Sequence, residues 1–215
     1  NRCYVAVIGY DAEVKVLTSG FLKELEKSPK RIANITKKVS NGEGGVIEVD
    51  TKMPIWIEPI YKDNCTNMMG AFAAVNDLVA NWIKDKPNYP APVVINISDG
   101  LPYDGREIED CMYETINIVN KIKEQGTTDG KVQIFNAMIG EGNKVVFPKS
   151  NSELDTVEAQ FLYEISTEIP EAYKGAAEKN ELKFEIGAHG AIYNADAEHL
   201  IKLIDFGSSK GQGDK

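Results

Sequence analysis

The sequence predicts an α/β protein built on an open, mostly parallel β-sheet with helices on both faces. Apolar runs of strand length alternate with helical stripes through most of the 215 residues. The clearest apolar runs are 93–97 and 132–139, and a helical stripe lies between them. Strands that alternate with helices normally lie parallel in one sheet, because each helix carries the chain back across the sheet.

The first predicted element is an antiparallel hairpin. The apolar run 3–10 is followed by the short polar turn 11–13 and by the alternating run 14–17. A join this short connects neighbouring antiparallel strands. A short helix and two extended segments are then predicted, at 21–27, 46–49 and 55–60.

The remaining helices are predicted from apolar residues that recur with the helical period of 3.6 residues. Two long stripes lie at 68–83 and 108–122. Three shorter helices are predicted after them, at 154–165, 171–179 and 195–206. We expect a single domain over 1–207 and a disordered tail at 208–215, because the tail is rich in Gly, Ser and Lys.

Composition and charge argue against several classes of protein. The chain has 24 basic and 33 acidic residues, a net charge of −9, so it lacks the basic face that nucleic-acid binding needs. No apolar run reaches the ~18–20 residues of a membrane-spanning helix. We therefore expect neither nucleic acid nor membrane as a partner. Three cysteines without a C-x-x-C pair favour reduced thiols in the cytoplasm over disulfides or structural zinc.

The charge is unevenly distributed along the chain. Residues 1–60 carry nine basic and eight acidic side chains, whereas residues 61–215 carry fifteen and twenty-five. The segment 27–38 contains five basic residues and no acidic one. Such a segment is suited to an acidic partner, although basic stretches are more often solvated surface.

Two polar residues stand where ligands bind in sheets of this class, at the carboxyl ends of the parallel strands. Asp99 follows the strand-like run 93–97 in the turn Ser98-Asp99-Gly100, and Thr66 precedes the helical stripe 68–83. A hydroxyl and a carboxylate are hard oxygen donors, suited to a Mg²⁺ ion that retains several waters. Each residue also has a structural interpretation, Thr66 as a helix N-cap and Asp99 as a turn residue.

The segments around these residues resemble the von Willebrand factor A domain. Val-Val-Ile-Asn-Ile-Ser-Asp-Gly (93–100) is similar to the family's fourth-strand motif, and Asn-Cys-Thr-Asn-Met-Met-Gly (64–70) is similar to its threonine loop. The opening run 5–11 resembles the hairpin strand that follows the family's first helix. Four segments resemble a group of bacterial intracellular members, at 54–59, 91–100, 129–136 and 191–196.

The resemblance implies a Rossmann-like sheet and a protein-interaction module rather than an enzyme. Such domains hold a divalent cation, commonly Mg²⁺, with an Asp-x-Ser-x-Ser loop, a Thr and an Asp, and an acidic residue of the partner completes the site. Thr66 and Asp99 match the Thr and the Asp, but the sequence contains no Asp-x-Ser-x-Ser. We expect the partner-binding rim to consist of Asp63, Asn64, Asn67 and Asp104.

Two alternatives remain open. The first is a metal-independent scaffold domain, in which Thr66 and Asp99 are only structural. The second is a metal-assisted hydrolase in which Asp99 and a cation activate water, and it needs a general base that the sequence does not reveal.

The resemblance also predicts a gap in the sheet. In this fold the Asp-x-Ser-x-Ser strand is central and lies between the strands predicted at 3–10 and 93–97. Buried backbone groups left unpaired cost about 1–3 kcal/mol each. We therefore expect a strand and a helix, on the order of 35–45 residues, to be supplied upstream of Asn1 or by a second polypeptide.

Overall fold

The computed structural model describes residues 3–42, 44–58 and 65–209. The chain divides into two compact units, residues 1–64 and 65–215, which are described separately. A single domain over 1–207 stays a prediction. In the region expected to be a disordered tail, Ser208 ends a helix and residues 210–215 lie outside the described residues.

The first unit begins with the hairpin that the sequence predicts. Strand β1 (Tyr4–Tyr10) pairs antiparallel with β2 (Val14–Phe21), and a bulge follows Val7. The rings of Tyr4 and Phe21 make an edge-to-face contact across the hairpin. A single helical turn, α1 (Leu22–Leu25), follows within the segment predicted as a short helix.

The first unit ends with a second hairpin that the sequence did not predict. Strand β3 (Arg31–Ser40) pairs antiparallel with β4 (Val46–Ile55) over ten residue pairs. The extended segment expected at 46–49 is the first part of β4. Strand β3 was not predicted because Lys37 interrupts the alternation of Ala33, Ile35 and Val39 with polar residues, and Ile32 lies out of phase with them.

The second unit is built on an open four-stranded sheet in which most strands are parallel. Its order is β5 (Val93–Ser98), β8 (Gln133–Ile139), β10 (Ala191–Ala195) and β9 (Val145–Val146). The first three strands are parallel and β9 is antiparallel to β10. A separate two-residue ladder joins β6 (Gly126–Thr127) to β7 (Gly130–Lys131).

Five helices belong to the second unit: α2 (Met68–Asp85), α3 (Ile108–Glu124), α4 (Val157–Glu164), α5 (Lys174–Lys179) and α6 (Ala197–Ser208). They lie within about three residues of the helical stripes in the sequence. Short 3-10 turns precede α4 and α5, at Asn151–Glu153 and Glu171–Tyr173.

Neighbouring residues of β8 show that helices cover both faces of this sheet, because successive strand side chains point to opposite faces. The ring of Phe135 packs on Phe206 of α6 with centroids 5.4 Å apart. The next side chain, Asn136, donates to the backbone oxygen of Leu162 in α4 over 3.2 Å. The chain is therefore a mixed α/β protein with an open, mostly parallel sheet.

A buried amide pair joins β5 to β8. Asn96 Nδ2 donates to Asn136 Oδ1 over 2.9 Å, and both side chains are almost fully buried. The pair fixes the register of β5, and with it the position of the loop that follows. Strand β5 forms one edge of the four-stranded sheet. The described residues place no strand corresponding to the expected central strand in this sheet, and its upstream origin stays a prediction.

Candidate functional site

The backbone brings the two candidate metal-binding segments together at the carboxyl end of β5. Thr66 and Tyr103 form an isolated antiparallel bridge. The N–H of Thr66 donates to the oxygen of Tyr103 over 2.6 Å, and the N–H of Tyr103 donates to the oxygen of Thr66 over 2.9 Å. Asp99 follows β5 directly and opens the loop that leads to Tyr103. The segment of Thr66 and the loop of Asp99 are therefore held together at the same end of the sheet.

Thr66 is not the N-cap of α2, because its neighbour has that role. Asn67 is the N-cap, and its Oδ1 accepts a hydrogen bond from the N–H of Gly70 over 2.9 Å. A Cβ atom at Gly70 would lie 2.7 Å from the same oxygen, so a larger residue there would displace the Asn67 side chain. The Thr66 side chain is half-buried, and its hydroxyl makes no hydrogen bond with any described residue.

The turn after β5 is likewise stabilised by a neighbour of the candidate ligand. Buried Ser98 accepts a hydrogen bond at Oγ from the N–H of Gly100 over 3.1 Å. Asp99 between them is exposed, and its carboxylate makes no hydrogen bond or ion pair within the described part of the chain. Asn67 thus forms the helix cap and Ser98 stabilises the turn. Neither role uses the Thr66 hydroxyl or the Asp99 carboxylate.

The carboxylate of Asp104, one of the predicted rim residues, is part of an ion-pair network. Arg106 Nη2 donates to Asp104 Oδ2 over 2.6 Å, and Arg106 Nη1 and Nη2 donate to the two carboxylate oxygens of Glu114 on α3, each over 2.9 Å. The thiol of Cys111 donates to Asp104 Oδ1 over 3.2 Å. The hydrogen bonds from Arg106, and then that from Cys111, hold the pKa of Asp104 well below its usual range.

This network ties the loop after β5 to α3, and the sequence analysis missed it. Arg106 and Glu114 are eight residues apart, a separation that does not by itself suggest a contact. The signal that could have suggested it is Asp-x-Arg at 104–106 just before an amphipathic helix. Burial, and then the hydrogen bond to Asp104, raise the pKa of the Cys111 thiol. Cys111 is thus a structural thiol rather than a reactive one.

The other rim residues divide into two groups. Asn67 lies at the site, but its side-chain oxygen is used in the cap of α2. Asp63 and Asn64 lie outside the described residues. Of the six predicted site residues, Thr66 and Asp99 are the two whose side chains are described and make no hydrogen bond within the described part of the chain.

A second aspartate follows a parallel strand at the same end of the sheet. Asp196 comes directly after β10 and is the N-cap of α6, where its Oδ1 accepts from the N–H of His199 over 3.0 Å. Its carboxylate also binds Lys144 Nζ and His199 Nδ1, each over 2.7 Å. Hydrogen bonds from Lys144, and then from His199, hold the pKa of Asp196 well below its usual range.

The end of β5 offers one hydroxyl, from Thr66, and one carboxylate, from Asp99, that make no hydrogen bond within the described part of the chain. Across the described ranges, no group of three or more His, Cys, Asp and Glu side chains could hold a metal ion. None of the helices in the described part has the length and apolarity needed to cross a membrane.

Comparisons with protein-family models, with curated proteins and with solved structures found no match.

Proposed function

We propose that this chain is a protein-interaction module of the von Willebrand A type, whose protein partner binds at the carboxyl end of β5. One observation carries the proposal. The Thr66 hydroxyl and the Asp99 carboxylate make no hydrogen bond within the described part of the chain. The adjacent residues Asn67 and Ser98 cap α2 and stabilise the turn after β5. Polar groups that the fold holds in position and does not use are available to a partner.

An exposed aromatic ring completes the proposed surface. Because Thr66 and Tyr103 are bridge partners, their side chains lie on the same face of the bridge. Tyr103 is 43% exposed. Tyrosine is enriched in protein interfaces, since it combines apolar contact area with a hydrogen-bonding group. A hydroxyl, a carboxylate and a tyrosine ring therefore lie at one end of the sheet.

The divalent cation that the resemblance implies does not fit the donors in the described residues. Thr66 and Asp99 supply one hydroxyl and one carboxylate, and the remaining nearby carboxylate, Asp104, is already bound to Arg106. The proposed binding therefore does not involve a metal ion. In the absence of a cation, the Asp99 carboxylate suits a lysine, an arginine or another hydrogen-bond donor of the partner.

The two alternatives have less support. The scaffold hypothesis assigned the helix cap to Thr66, but that role belongs to Asn67. The hydrolase hypothesis requires a base beside Asp99, and the Asp99 carboxylate makes no hydrogen bond or ion pair with one among the described residues.

The proposal is tested by capturing partners from a cell extract with the wild-type chain and two variants, and by quantifying every captured protein. Asp99→Asn removes the exposed charge at the site. Asp205→Asn on α6 removes an exposed charge elsewhere and serves as the matched control. We expect a specific partner to be lost with Asp99→Asn and retained with Asp205→Asn, both with and without EDTA.

Equal capture by the two variants would contradict the proposed surface. Loss of the partner from the wild-type chain in EDTA would instead restore the cation-bridged hypothesis. Thermal unfolding with added Mg²⁺ or Mn²⁺ gives an independent measurement, in which we expect no stabilisation that depends on Asp99.

A further inference from the structure

We propose that the hairpin β3–β4 is a second docking surface, which binds an amphipathic α-helix of a partner protein through apolar contacts and one carboxylate. The surface is distinct from the end of β5 and does not depend on the function proposed there. Three observations support it: the strand register, the exposure of one face, and the position of Lys37.

The register gives the hairpin one mainly apolar face. Cross-strand partners of an antiparallel pair share a face, and successive pairs alternate between the two faces. One face carries Arg31–Ile55 at its end, where Arg31 is ion-paired with Glu58, and then the pairs Ala33–Met53, Ile35–Thr51, Lys37–Val49 and Val39–Ile47; these last four pairs are here called the apolar hairpin face. The opposite face carries the polar pairs Asn34–Lys52, Thr36–Asp50 and Lys38–Glu48 in its middle, with Ile32–Pro54 and Ser40–Val46 at its ends.

Four larger side chains of the apolar hairpin face are exposed, by 38% at Met53, 39% at Val39, 41% at Val49 and 49% at Ile47. Ala33, Ile35 and Thr51 of the same face are half-buried. A two-stranded hairpin is at best marginally stable in water, and packing against a helix is one of the ways in which it becomes stable. Several exposed apolar side chains on one face of such a hairpin are typical of a binding surface.

Lys37 is the one charged residue among the four pairs of this face, and its ammonium group makes no ion pair with any described residue. A partner that covers the apolar side chains must also cover this lysine. Removing an ammonium group from water is costly unless a counter-charge accompanies it. The occupant should therefore present a carboxylate opposite Lys37. The wider segment 27–38 is basic, which also favours an acidic partner.

The dimensions suit a single helix. The four pairs extend over about 20 Å at 3.3 Å per residue, and two adjacent strands give a face about 10 Å wide. A helix is 10–12 Å in diameter, so about 13 residues cover this length at 1.5 Å per residue. A second copy of the hairpin would offer another lysine rather than a carboxylate. Binding to an anionic membrane is distinguished by the vesicle measurement described below.

The test measures binding of two synthetic 16-residue helical peptides to the full chain by fluorescence anisotropy. Both peptides carry leucines on one face, and the residues that border this face are glutamate in one peptide and lysine in the other. Lys37→Glu reverses the charge on the apolar hairpin face. Lys38→Glu makes the same change one residue later, on the opposite face, and is the matched control.

We expect the glutamate peptide to bind the wild-type chain more tightly than the lysine peptide does. Lys37→Glu should weaken binding of the glutamate peptide about tenfold and strengthen binding of the lysine peptide. Lys38→Glu should leave both affinities within about twofold. Absence of glutamate-peptide binding, no preference between the peptides, or equal effects of the two variants would each overturn the proposal.

Other occupants are distinguished with Val49→Ser on the apolar hairpin face and Ile32→Ser on the opposite face. Both residues are exposed, and circular dichroism checks that each variant is folded. Val49→Ser should abolish peptide binding and Ile32→Ser should not. A dimer lost only in Val49→Ser, without peptide binding, would identify a second copy as the occupant and overturn the proposal. Binding to phosphatidylserine vesicles in place of peptide would also overturn it.

Discussion

Asp99 and Asp196 hold equivalent positions in the fold and have opposite surroundings. Each directly follows a parallel strand of the same sheet, and each is exposed. Asp196 caps α6 and binds Lys144 and His199, whereas the carboxylate of Asp99 makes no bond within the described part of the chain. A position at the carboxyl end of a strand therefore does not by itself make an aspartate a ligand. What distinguishes the two aspartates is the set of groups that already bind each carboxylate.

The largest expected effect on stability is at Asp196. Asp196→Ala removes the N-cap of α6 together with the partner of Lys144 and His199. Loss of an N-cap in a chain of this size should lower the midpoint of thermal unfolding by about 2–4 °C. Asp196→Asn is the informative control, because asparagine preserves the cap and removes the charge. If Asp196→Ala unfolds at the wild-type temperature, the assignment of Asp196 as structural is wrong.

An intermediate effect is expected at Arg106, which ties the loop after β5 to α3. Arg106→Ala removes its bonds to both Asp104 and Glu114 and should lower the unfolding midpoint by about 1–3 °C, because two exposed ion pairs are lost together. Lys174→Ala removes one exposed ion pair with Glu171 and should change the midpoint by less than about 1 °C. Differential scanning fluorimetry of the two variants compares them, and equal midpoints would contradict the anchoring role.

A smaller effect is expected in acid. The pKa values of Asp104 and Asp196 are lowered in the folded chain, so these carboxylates stabilise the fold above the unfolded aspartate pKa of about 3.9. That stability is lost as the pH falls through the folded pKa values, because the unfolded state takes up protons first. Urea unfolding between pH 7 and pH 3 should show a smaller loss for Asp196→Asn than for the wild type. If the free energy of unfolding falls equally with pH in both proteins, the Asp196 charge is not linked to folding.

The smallest effect on stability is expected at the proposed binding group itself. Asp99→Asn removes a carboxylate that makes no bond with a described residue, so the unfolding midpoint should stay within about 1 °C of the wild type. The same variant should lose the partner. A clearly lower unfolding midpoint would show that Asp99, like Asp196, stabilises the fold.

The sequence was informative where the pattern is regular and local. The runs 93–97 and 132–139 correspond to β5 and β8, and the stripes 68–83 and 108–122 correspond to α2 and α3. These elements are buried on one or both faces, so their apolar residues follow the period of the backbone. In strand β3 the period is broken by Lys37 and Ile32, and most of the residues are exposed.

The candidate site could be located from the sequence. Which of its side chains are already bound by other residues could not be predicted. Asp99 and Asp196 both follow an apolar run, and the sequence distinguishes them only by the glycine after Asp99 and the helical stripe that follows Asp196. Part of the difference depends on Lys144, which is 52 residues from Asp196 and reaches it only in the folded chain. The Thr66–Tyr103 bridge likewise joins two loops that are distant in sequence. Contacts of this kind depend on the tertiary fold rather than on local pattern.

The central claim is that a protein partner contacts the carboxyl end of β5, and site-specific photocrosslinking tests it most directly. A photoreactive phenylalanine analogue is placed at Tyr103, or at Tyr89 just after α2, at the amino end of β5. The two tyrosines are equally exposed, at 43%, so Tyr89 controls for accessibility. We predict that position 103 crosslinks to the partner and that position 89 does not. Equal crosslinking from both positions, or crosslinking from position 89 alone, would contradict the account.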